Sequence, residues 1–231
     1  MKTQTTIRRI YELLEAAFGP QHWWPADSAF EMMVGAVLTQ NTSWKNVEKA
    51  IANLKSRGLL SPPHLRATPP DELASLLRPA GYFRVKAKRL VNLVEWLLRE
   101  YAGDVVRMSR APLADLREGL LSVKGVGPET ADSILLYAAR KPTFVVDTYT
   151  YRVLLRHGLV DESAGYEEIR ELFESNLPAD VTLFGEFHAL LVAVGKKFCR
   201  KIPRCGECPL RGLLEHDAGQ SAHGLRHSGS S

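Results

Sequence analysis

Between Leu120 and Asp147 the chain reads LLSVKGVGPETADSILLYAARKPTFVVD, a glycine turn between two helical patterns, then an apolar run that ends in an acid. Gly125 and Gly127, flanking Val126, lack the side chains that would keep an anion away, and Lys124 adds a cation beside them. Pro128 suits the first turn of a helix, whose leading N–H groups favour a negative group such as a DNA phosphate. A corner made tight by glycine for packing alone is the alternative reading. Asp147 follows Phe144-Val145-Val146 and precedes Thr148-Tyr149-Thr150, the position of an N-cap for the next helix.

A second set of candidates lies elsewhere. Cys199, Cys205 and Cys208 are all the cysteine in the chain, and their C-x5-C-x2-C cluster reads as a metal or redox site more readily than as a disulfide. His188, between Phe187 and Ala189 on the helix leading to Cys199, reads as a core histidine satisfied by a backbone partner. His22-Trp23-Trp24-Pro25 would plug the end of a helical bundle. Gln40-Asn41-Thr42 is a polar helix end, and Arg84 to Arg89 is a solvated basic face of which one or two charges touch phosphate.

The elements that carry these residues are helical by period. Ile7, Ile10, Tyr11, Leu14 and Phe18 make one face of a first helix that stops at Gly19-Pro20. Further helices are predicted over Phe30–Leu38, Val47–Leu54, Leu73–Leu77, Val85–Tyr101, Pro112–Leu121 and Thr130–Ala139, with clusters such as Ser61-Pro62-Pro63 and Thr68-Pro69-Pro70-Asp71 as separators. No set of alternating strands and no repeat is visible, so an all-α chain is expected. The tail from residue 217 to 231 is rich in Gly, Ser and His and reads as disordered.

Composition narrows the class only mildly. Thirty Lys and Arg against 26 Asp and Glu give a net charge of +4 over 231 residues, compatible with nucleic-acid binding but not diagnostic of it. The length allows one large or two small domains with a genuine core. No segment has the pattern of a signal peptide or a membrane span, so a soluble, cytoplasmic, monomeric protein is expected.

Leu121 to Asp147 resembles the helix–hairpin–helix and Gly/Pro-loop-Asp signature of the endonuclease III superfamily of DNA glycosylases, and the likeness runs from roughly Trp23 to Cys208. The resemblance implies damaged double-stranded DNA as partner and a two-lobed all-α fold with the active-site cleft between lobes. One lobe would be a six-helix barrel over residues 23–140, the other residues 1–22 with 141–216. It makes Asp147 the catalytic aspartate and places Glu129 where the family often carries the lysine that forms an imine with the sugar. A carboxylate cannot form an imine, so strand cleavage by that route should be absent or very weak. It also puts Gln40 in the gap left by a flipped nucleotide, and Lys124, Gly125, Val126 and Gly127 on DNA.

The stretch WWPADSAFEMMVGAVLTQNTSW is similar to one branch, the 3-methyladenine DNA glycosylases of endonuclease III type, and this implies that Trp23, Trp24, Pro25 and Trp44 stack on an alkylated base. Methylation at a ring nitrogen gives a cationic base that an aromatic face attracts by roughly 0.5–2 kcal/mol. Alternatives are a glycosylase and lyase acting on oxidised pyrimidines, and a non-catalytic DNA-binding relative. For the cysteines the family implies a [4Fe-4S] cluster on four thiolates, yet the fourth position here is Leu214. Three thiolates with His216 or an exogenous ligand, a zinc ion, or a metal-free site are the options left open.

Overall fold

The computed structural model describes residues 3–213, and among them every regular element is helical. The expectations placed on Leu214, His216 and residues 217–231 lie outside the described residues. The helices are α1 (Thr3–Phe18), α2 (Ala29–Leu38), α3 (Trp44–Ser56), α4 (Pro62–Ala67), α5 (Pro70–Leu76), α6 (Phe83–Tyr101), α7 (Val105–Ser109), α8 (Leu113–Leu121), α9 (Pro128–Ser133), α10 (Thr148–Arg156), α11 (Tyr166–Glu174) and α12 (Val181–Lys197). They form two compact units, one from residues 3–23 with 146–213 and the other from Trp24–Val145.

The Trp24–Val145 unit is built around α2. Every residue from Phe30 to Leu38 is buried, as expected of a helix that is apolar all round and so must be wrapped by others. Its start is set by Ser28, whose hydroxyl accepts the Glu31 N–H at 3.1 Å, while the Glu31 carboxylate reaches back to the Asp27 N–H at 3.3 Å. Glu31 is itself only 5 % exposed, and Lys55 on α3 meets its charge at 2.7 Å. Helices α3 and α6 pack on α2, with Val47, Ala50, Ile51 and Leu54 from the first and Leu90, Leu93, Val94 and Leu97 from the second turned into the same core.

In the other unit α12 packs against α1 and α10. The predicted stripe of α1 supplies fully buried Ile7, Ile10 and Leu14, and Tyr11 meets Phe187 edge-on with ring centroids 5.3 Å apart. Phe173 of α11 meets the same ring at 5.3 Å and a similar angle.

Two local differences from the sequence reading have physical causes. The Pro62-Pro63 and Pro69-Pro70 clusters are helix starts as well as separators: Pro62 and Pro70 are the first residues of α4 and α5, where a missing N–H costs nothing. The pattern read as one helix over Thr130–Ala139 changes pitch, because Ile134–Ala138 is a π-turn closed by the Ala139 N–H on the Ile134 carbonyl at 2.9 Å. The five-residue helix α7 has too few turns to stand out by period.

Candidate active site and nucleic-acid interface

Asp147 caps α10. Its Oδ1 accepts the N–H of Tyr149 at 3.0 Å and of Thr150 at 2.7 Å, so the N-cap expectation is met in full. Its Oδ2 faces His188 Nε2 of α12 at 3.7 Å, with side-chain exposures of 12 % and 7 %. Burial acts to raise the carboxyl pKa, but the His188 imidazole and the Thr150 N–H and hydroxyl outweigh it, and the net shift is downward. The result is a carboxylate that keeps its charge while largely removed from water, with one oxygen committed to backbone and the other turned to an imidazole. His188 is buried as expected, but its neighbour is a carboxylate rather than backbone alone.

The glycine hairpin joins α8 to α9. Gly125 has φ +100°, a backbone state other residues avoid, and a Cβ there would collide with Arg89 Cγ. Val123 and Val126 anchor the turn in the core, and Lys124 and Gly127 stay exposed at its tip. Behind it, Arg117 of α8 grips Asp132 of α9 through two bonds, Nε to Oδ1 at 2.8 Å and Nη2 to Oδ2 at 3.1 Å. Asp132 is fully buried, so this pair sets the angle between the two helices of the hairpin. Glu129 is exposed in the first turn of α9.

Gln40 lies just beyond the C-terminus of α2 and is tied to that hairpin. Its Nε2 donates to the Gly125 carbonyl at 3.1 Å and to Thr130 Oγ1 at 3.0 Å, and its Oε1 accepts from Arg89 Nη1 of α6. The basic run therefore divides by position. Lys86 is only 1 % exposed and its ammonium donates to the carbonyls of Leu38 at 2.9 Å and Ala80 at 2.6 Å, contrary to a solvated face. Arg84, Lys88 and Arg89 line one groove together with Lys124 and Gly125 of the hairpin.

The aromatic candidates fall into two groups. Trp24 meets Trp44 edge-on at 5.1 Å between centroids and meets Tyr137 of the π-turn at 5.5 Å, and all three rings are half-buried. Tyr137 was not singled out by sequence reasoning; the change of helical pitch that presents it has no signature in the residue pattern. Trp23 belongs to the other unit, where the Lys196 ammonium lies 5.9 Å above its ring, and Pro25 is exposed.

Cys199, Cys205 and Cys208 line one small cavity with Arg156 and His157. Arg156 Nη1 lies 3.2 Å from Cys199 Sγ and donates to the Arg200 carbonyl at 2.7 Å, and Nη2 donates to the Lys201 carbonyl at 3.2 Å, pinning the basic loop. Burial pushes the Cys208 thiol up, and the other two cysteines add to that. Among the described residues no three Cys, His, Asp or Glu side chains converge closely enough to hold a single metal ion. No described helix is long and apolar enough to cross a membrane.

Residues 34–179 match a family model described as HhH-GPD superfamily base excision DNA repair protein. The chain is 49% identical over 207 residues to the "Putative DNA repair glycosylase" of Methanocaldococcus jannaschii, covering 89% of this chain and 94% of that protein. It is 33% identical to endonuclease III of Thermotoga maritima, with 80% and 82% covered. Among solved structures, a 3-methyladenine DNA glycosylase of H. pylori bound to 1,N6-ethenoadenine is 28% identical with a TM-score of 0.71, covering 85% of this chain and 98% of that one. A trapped covalent intermediate of endonuclease III with DNA is 25% identical with a TM-score of 0.80, covering 96% and 100%.

Proposed function

This chain belongs to the HhH-GPD superfamily of base excision DNA repair proteins and is a DNA N-glycosylase acting on damaged DNA, and we propose that it excises alkylated purines of the 3-methyladenine type by hydrolysis, without strand cleavage. The observation that carries the reading is the half-buried aromatic cluster of Trp24, Trp44 and Tyr137. A purine methylated at a ring nitrogen is a flat cation, and electron-rich rings favour it over its neutral parent by roughly 0.5–2 kcal/mol, more as water is excluded. The H. pylori relative with its bound ethenoadenine lends the class support.

In this reading the hairpin from Lys124 to Gly127 holds a backbone phosphate, and Gln40 enters the stack vacated by the flipped nucleotide. Base departure builds positive charge on the sugar. Asp147, ionised and shielded from water, stabilises that charge or orients the attacking water, an effect of the order of 10²–10⁴ in rate. A methylated purine is already a good leaving group and needs no amine nucleophile, in keeping with Glu129 at the position the resemblance gives to the lyase lysine.

The three cysteines line one small cavity beside the Arg156 guanidinium, and on that shared position the iron–sulfur reading rests. Cys199, Cys205 and Cys208 would hold the cluster, and its contribution would be to order the basic loop through Arg200, Lys201 and Arg204. Iron and acid-labile sulfide analysis of the purified chain tests this.

The deciding experiment follows free-base release from methylated duplex DNA, with strand nicking and borohydride trapping in the same samples. Release of 3-methyladenine without nicking or adduct, abolished in Asp147→Asn, is the expected result. A trapped adduct would establish the lyase reading instead, and DNA binding without release of any base would leave a non-catalytic relative.

A further inference from the structure

His188 does not belong to the set implied by the resemblance, yet it is the side chain that faces the second oxygen of Asp147. Oδ1 is committed to two N–H groups of α10, so Oδ2 is the oxygen left to meet a developing charge or a water. His188 Nε2 lies 3.7 Å from it, just beyond hydrogen-bond length. That separation is enforced by how closely α12 packs on α10. Gly195 of α12 gives up its side chain to the Tyr149 ring, where a Cβ would come within 2.7 Å of Tyr149 Cβ. Arg152 of α10 ties the same two helices, donating from Nε to the Cys199 carbonyl at 2.6 Å and from Nη2 to the Gly195 carbonyl at 3.4 Å.

We infer that His188 is a positioning residue, which fixes Oδ2 of Asp147 and holds its charge in place for base excision. The inference rests on the reading of Asp147 as the acting carboxylate. Two other charged or titratable groups lie close by. Arg152 is taken up by the two carbonyls and lies 5.1 Å from the Tyr149 ring, and the Tyr166 hydroxyl of α11 accepts the Val146 N–H at 3.4 Å. Burial alone would drive the Asp147 carboxyl toward its neutral form, and His188 is the leading influence against it. A neutral acid at this place could neither stabilise a sugar cation nor accept a proton from water.

The test uses the full chain with His188→Leu and His188→Gln beside Asp147→Asn. Titration of the Asp147 carboxyl carbon by NMR, assigned by its loss in Asp147→Asn, needs no substrate. In His188→Leu its midpoint should rise by about one pH unit or more. The acid limb of single-turnover base release from methylated duplex DNA should rise with it, and the plateau rate should fall about tenfold or more. His188→Gln keeps an N–H of similar reach and should recover most of the plateau while leaving the midpoint raised.

An unmoved midpoint in either variant would overturn the inference, even if the rate fell, because a merely structural histidine would lower activity without shifting that titration. If His188→Leu does not fold, the midpoint in His188→Gln decides alone. An active Asp147→Asn would refute the role of Asp147 itself, whereas an inactive Asp147→Asn with a wild-type profile in His188→Leu would refute only the role of His188.

Discussion

Replacing Lys86 with Met keeps the length of the side chain and removes its charge and its donors. In the native protein the ammonium is buried between the last carbonyl of α2 and that of Ala80, where burial first and Arg89 second push its pKa from 10.5 down to about 8. That lowering is worth about 3 kcal/mol, at about 1.4 kcal/mol per pH unit. Because the folded chain gives up this proton near pH 8 and the unfolded chain holds it to about 10.5, the unfolded state binds more protons in that window. The contribution of Lys86 to stability therefore rises between pH 8 and 10.5.

The comparison with Lys86→Met then depends on pH in a defined way. A neutral Lys86 still donates to both carbonyls, whereas Met leaves two buried acceptors without a donor, at about 1–3 kcal/mol each. Near pH 10 the wild type should be the more stable by about 2–4 kcal/mol. Near pH 7 the cost of burying the charge offsets most of that, and the two proteins should differ by about 1 kcal/mol or less. Urea unfolding followed by circular dichroism at several pH values measures the difference, in which tyrosines such as Tyr11, pushed up to about 12, cancel. A difference that stays flat from pH 7 to 10 would refute the account of Lys86 as a buried cation. The site has a functional side, since the carbonyl it holds belongs to the residue two before Gln40.

Three further outcomes follow from the same geometry. Gly125→Ala should cost about 1–3 kcal/mol and weaken DNA binding in fluorescence anisotropy, because the added methyl displaces Arg89 and with it Gln40. Gly195→Ala should destabilise by about 1–3 kcal/mol through the Tyr149 ring and lower base release beyond what the loss of folded protein explains, since Tyr149 carries an N–H held by Asp147. Asp132→Asn should cost about 3 kcal/mol in thermal or chemical unfolding, as Arg117 keeps its charge at 16 % side-chain exposure without its carboxylate. In this last variant a loss below about 1 kcal/mol would show that the pair does not brace the hairpin.

Much of the chemistry is legible in one dimension because it is local. A turn of Gly-Val-Gly-Pro dictates its own backbone, a carboxylate two and three residues before free N–H groups caps its own helix, and a period of 3.6 marks the buried face of α1 or α6. The same period states which face is buried and not which face it meets. Lys86 could not be told from the other cations of its run until α2 and the turn before α6 were placed against it. Tyr137 and Trp24 lie far apart in the chain, as do His188 and Asp147, and each pair exists only because helices cross at one point. Sequence alone thus determined most of the helices, the hairpin and the capped aspartate; which buried groups share a charge, a ring or a proton was decided by tertiary packing, since those energies fall off within a few ångströms.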